Sequence, residues 1–131
     1  MKRIISFKLA GNLSIAIMGL LMIFHIIMLS GLLPTDIIWG GRQTGAESMR
    51  QMELVSLAVT CFFIFIIMLK MNYLPFKIHK KVTTIVLWLM FVWFLLNIIG
   101  NLAAATVLEK SIFTPVSIVL MLLILRLAIE K

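Results

Sequence analysis

The chain has 131 residues, 63% of them hydrophobic and 13% charged, with a formal net charge of +7. Soluble domains are far less apolar, so a water-soluble globular class is excluded. The single cysteine, Cys61, excludes an internal disulfide and dithiol redox chemistry within one chain, and the scattered basic residues belong to no nucleic-acid-binding fold, so no nucleic-acid partner is expected.

Met1–Lys8 is basic and resembles the first region of a signal peptide, but the apolar run behind it is longer than such a signal needs and ends at Pro34-Thr35-Asp36. It is therefore expected to stay as a membrane span. Uncharged stretches follow at Leu9–Leu33, Leu54–Leu69, Val82–Leu108 and Ser111–Leu125. A helix needs about 20 residues to cross the hydrocarbon, so the second and fourth stretches must recruit flanking residues. Strands are disfavoured, because backbone groups in lipid have to be satisfied within their own segment. The expected fold is an all-α membrane protein, a four-transmembrane-helix antiparallel bundle. The whole chain, 1–131, forms a single integral membrane domain. The spans fall at about 9–33, 51–71, 82–106 and 111–129, with an external loop at 34–50.

Charge orients the bundle. Nine basic residues lie on the side of the termini and of the loop around Lys77, against Arg42, Arg50 and Lys110 on the other side. The positive-inside rule then places both termini in the cytoplasm and the protein in the cell membrane as a multi-pass chain. Glu53, Lys70 and Arg126 fall near the membrane boundary, where Lys70 and Arg126 are expected to snorkel. The loop from Lys70 to Lys81 mixes basic and aromatic residues. It reads as a topology anchor with Tyr73 and Phe76 in the interfacial belt, and contact with anionic lipid is the alternative.

The first connection carries Asp36, Trp39, Gly40, Gly41 and Arg42. Pro34 is expected to end the first helix. Thr44-Gly-Ala-Glu47 fits a capping box at the start of the second, and Arg50 is spaced to pair with Glu47 or Glu53. The Asp36-Ile-Ile-Trp-Gly-Gly-Arg42 stretch, followed by an acidic helix start, resembles the small uncharacterised bacterial four-transmembrane-helix proteins with a Trp-Gly-Gly-Arg loop after the first helix. That resemblance implies architecture and no reaction. The chain also shares size and span count with the small multidrug-resistance transporters, but their first-span glutamate has no counterpart in Leu9–Leu33.

Polar residues at membrane depth are costly and often functional. His25, Glu53, Ser56, Thr60, Asn97, Asn101, Thr114 and Ser117 all fall toward the external side. Asn97 and Asn101 share one helical face, which Trp93 extends. His25, Glu53, Thr60, Asn97 and Asn101 form the candidate polar pocket. Asp36, Trp39, Gly40, Gly41, Arg42 and Arg50 are candidate external contacts. Hydrogen-bonding glue between helices is the weightier role for these pocket residues, and a working site is the alternative. Met18, Met22 and His25 share a face and could hold Cu(I), yet methionines in apolar helices are more often packing filler. Neither a metal nor another cofactor is expected. Cys61 reads as a small buried hydrophobe. Gly11, Gly19 and Gly100 lie within spans, where glycine permits close helix contact.

The function expected is that of a small, non-enzymatic integral membrane protein. It would bind a lipid, small ligand or partner protein through the outward-facing pocket and the Trp-Gly-Gly loop. The alternatives are a small oligomeric transporter or channel, and a membrane-embedded enzyme acting on a lipid or quinone. Expected partners are membrane lipid and a second copy or another membrane protein.

Overall fold

A computed structural model describes residues 5–34, 46–75 and 78–130. Within them the chain is an all-α, four-helix antiparallel bundle: α1 (Phe7–Leu29), α2 (Ala46–Lys70), α3 (Lys80–Ala103) and α4 (Thr114–Ala128), the last entered through a π-helical turn at Glu109–Phe113. All four helices, α4 counted with its π turn from Glu109, are long and apolar enough to cross a membrane. Each also leaves large apolar side chains on its outer face, among them Leu20, Val55, Leu89 and Leu122. Helices apolar on every side suit a hydrocarbon surround and not water.

Local chemistry sets the helix ends. The Ser6 hydroxyl caps α1 by accepting the Leu9 N–H at 3.1 Å. That helix stops at Leu29, earlier than Pro34 implies. Gly31 takes φ +74° and its N–H returns to the Met28 carbonyl, a turn open to glycine that ends the helix before the proline is reached. At the end of α2, Asn72 adopts φ 58°; the Asn72 N–H bonds the Leu69 carbonyl and the Tyr73 N–H the Met68 carbonyl. This is a Schellman motif with asparagine in the left-handed position. Glu47 lies in the first turn of α2, where the helix dipole favours an acid. Its proposed capping partner Thr44 lies outside the described residues.

The helices follow one another round a square. α1 packs on α2 and α4, α3 packs on α4, and α2 and α3 touch least of the neighbouring pairs. The main core gathers near the end holding Ile5, Lys70 and Glu130, here called the basic end. Ile67, Leu87, Met90, Leu120, Ile124 and Leu127 are fully buried there. Close approach is real at Gly11, where an added Cβ would run into the Met71 side chain. It is not found at Gly19 or Gly100, which face open space.

At the basic end Arg126 and Lys70 turn inward, while Lys8, Lys80 and Lys81 stay exposed. Arg126, only 3% exposed, donates from Nε to the Ile5 carbonyl at 2.9 Å and from a terminal nitrogen to Glu130 Oε2 at 2.8 Å. Lys70 Nζ donates to the Glu130 carbonyl at 2.9 Å. The snorkelling expected of Lys70 and Arg126 is thus replaced by bonds that tie α2, α4 and the start of the chain together. Tyr73 likewise donates its hydroxyl to Asn12 Oδ1 at 2.6 Å. Phe76 and Lys77 lie outside the described residues. Cys61 is exposed on the outer face of α2, with Sγ 3.6 Å from Met22 Sδ, and is not the buried hydrophobe expected. The turn of α2 that brings Glu53 and Thr60 inward carries Cys61 out.

Candidate functional site

Away from the basic end the bundle is hollow. A cavity of about 550 Å³ lies among all four helices toward the opposite, loop end. Its size falls within the range of small-molecule sites. His25, Glu53, Thr60, Asn97 and Asn101 all line it, so the five residues singled out for polarity and spacing converge on one space.

One short polar contact crosses from α1 to α2. His25 Nδ1 donates to Glu53 Oε2 at 2.7 Å, in the tautomer that a carboxylate partner selects. The glutamate side chain is 2% exposed and the histidine 18%. A hydrogen bond to a carboxyl group as buried as that of Glu53 is stronger than its exposed counterpart, and the same burial makes an unmatched partner costly. Arg50, which the spacing allows to pair with Glu53, is exposed on α2 outside the cavity lining. Among the described residues His25 Nε2 has no hydrogen-bond partner, and it is not sealed from solvent.

The middle of the cavity is quieter. Thr60 Oγ1 donates to the Ser56 carbonyl at 2.8 Å and Asn97 Nδ2 donates to the Trp93 carbonyl at 2.9 Å, each one turn back on its own helix. Asn101 reaches across instead, its Nδ2 donating to Ser117 Oγ on α4 at 3.4 Å. So Asn101 joins helices, while Thr60 and Asn97 spend donors locally.

Glu109, in the break between the third and fourth uncharged stretches, is a lining residue that the sequence analysis does not single out. It is buried and faces the cavity from the π-helical turn. The Thr106 hydroxyl donates to its carboxylate, the Glu109 N–H returns to Thr106 Oγ1 at 3.4 Å, and the Thr114 hydroxyl donates to its carbonyl at 3.1 Å. Thr106-Val-Leu-Glu109 has capping-box spacing, and that was the signal for it. Pro115 accounts for the wide turn: it has no N–H to continue the α ladder and crowds the carbonyl four residues back. Such turns recur at functional sites.

The remaining walls are apolar and aromatic, with Phe24, Phe63, Phe94 and Phe113 lining the space. Phe24 meets Phe113 edge-on at 5.1 Å, and Phe63 meets Trp93 edge-on at 6.1 Å. The thioethers do not form a copper site with His25: Met18 is buried in the packing and Met22 lies against Cys61. Among the described residues no three His, Cys, Asp or Glu side chains group as metal ligands. Asp36, Trp39, Gly40, Gly41 and Arg42 lie outside the described residues. Comparison with protein-family models, curated proteins and solved structures finds no match for this chain.

Proposed function

We propose that this chain is a multi-pass protein of the cell membrane, with the basic end in the cytoplasm, that binds a small ligand in the loop-end cavity without transforming it. The architecture is that implied by the likeness to small bacterial four-span proteins. The observation that carries the binding reading is the cavity itself, about 550 Å³ in volume, aromatic-walled and edged by a His25–Glu53 pair at 2.7 Å. Concave apolar space with a few convergent polar groups is the usual form of a ligand site. Structural glue accounts for Asn101, which bridges two helices, but not for a hollow.

The test is native mass spectrometry of the full chain purified in mild detergent, beside Glu53→Gln and Asn97→Ala. A small molecule held by the wild type and shed by both variants, at unchanged melting temperature, supports the reading. Equal retention in all three, or melting that collapses with retention, refutes it. Reporter fusions at both ends test the orientation.

The same pair favours a second reading, a membrane-embedded enzyme on a lipid or quinone. There His25 Nε2 would handle the proton and Glu53 would orient the ring. Turnover of a candidate lipid that is abolished in His25→Gln would support it. Transport draws no such support, since Ile67, Leu87, Leu120 and Ile124 fill the half through which a solute would have to pass.

A further inference from the structure

The cavity has a direction. Near the loop end its lining holds His25, Glu53, Asn101 and Glu109, whereas Met18 and Phe63 lie deeper. Met18 to His25 is seven residues of α1 and Glu53 to Phe63 is ten of α2. At the helical rise these are about 10 and 15 Å. A polar mouth over a blind apolar floor at that length suits a molecule with one polar head and one apolar tail.

The cavity also has a side door. Val55 and Trp93 belong to its lining, yet they are 61% and 45% exposed, so the space they border is open to the outside. Phe94 and Ser117, lining it from the closed sides, are 7% exposed. The break therefore lies between α2 and α3, the neighbours that touch least. It falls within the apolar stretches by which both helices are long enough to cross a membrane, and not at their ends.

Resting on the ligand-binding reading, we propose that the occupant is a single-tailed amphiphile with an uncharged hydroxyl head, entering from the bilayer between α2 and α3. The hydroxyl follows from His25. With Nδ1 donating to Glu53, Nε2 is the accessible polar atom of the ring and is an acceptor in that tautomer, so it calls for a head that donates, as a hydroxyl does and its methyl ether does not. An uncharged head enters without the cost of taking an ion out of water. Entry by the side spares the tail any passage through water.

The test uses the full chain in lipid nanodiscs with 9,10-dibromo-octadecan-1-ol, whose bromines quench nearby tryptophan. Saturable quenching that disappears in Trp93→Phe is expected. The methyl ether of the same alcohol should bind about tenfold more weakly, the worth of one hydrogen bond. His25→Phe should bring alcohol and ether to equal affinity, and Val55→Phe should slow uptake without changing melting. Quenching that only tracks partition into the host lipid, or equal affinity of alcohol and ether in the wild type, overturns the proposal. Hexan-1-ol, followed by the His25 ring resonances, separates the two levels. A saturable shift with hexanol but no saturable quenching by the long alcohol leaves a ligand site and removes the tail. Absence of both removes the ligand site as well.

Discussion

The basic end and the loop end of this bundle are built from the same four helices, yet they treat polar groups oppositely. At the basic end Arg126, Lys70 and Glu130 are drawn together and matched by one another and by the Ile5 and Glu130 carbonyls, above a filled apolar core. At the loop end His25 and Glu53 are matched beside a space that none of the described residues fills. Packing density is where stability resides, and an unfilled polar space forgoes it. The contrast therefore separates a half that holds the bundle together from a half left available.

The largest effect should come from emptying the filled half. Leu120→Ala should cost about 2–5 kcal/mol, read as a lower midpoint in SDS or thermal unfolding. Val116→Ala, one turn earlier on the same helix but lining the cavity, should cost well under half as much, because no new void is made. Equal costs would break the distinction. Next comes Arg126→Met, which removes the bonds to Ile5 and Glu130. Hydrogen bonds to charged groups are each worth about 1.5–3 kcal/mol, and a variant as stable as wild type would show that this end is not tied. Glu53→Gln should move stability by less than about 1 kcal/mol, the scale of polar contacts between membrane helices, while ligand retention falls. A midpoint drop like that of Leu120→Ala would make the loop end structural too. The smallest effects should separate the glycines. Gly100→Ala faces open space and should gain about 0.5–1 kcal/mol in helix propensity. Gly11→Ala should lose that gain, because Met71 has to swing aside. Reversal of this order in thermal melts would contradict the close approach at Gly11.

The helices were legible because uncharged runs of sufficient length admit little else, and the candidate pocket because few polar residues interrupt them. Glu53 with Thr60, and Asn97 with Asn101, mark an inward face by spacing alone. Rotation was harder wherever no polar residue marks it, since each helix is apolar on every side and has no strong periodic signal. That is why Cys61, within an apolar run, reads as buried although it is exposed. Arg126 was misread for a related reason: a cation near a helix end suits both headgroups and an internal partner, and the partner, Ile5, is 121 residues away. Glu109 stood in a short connection whose only clue was its threonine three residues earlier.

The wide turn at Glu109–Phe113 has a consequence for how the fourth helix is phased. Glu109 and Ser117 are eight positions apart, which in an unbroken α-helix leaves them about 80° out of alignment. The slower winding of the turn takes up that offset, so a carboxylate and a hydroxyl look into the same space. Pro115 thus works as a phase shifter: replace it with a residue that lets the ladder anneal, and Glu109 should rotate out of the cavity although not one atom of its side chain has been altered.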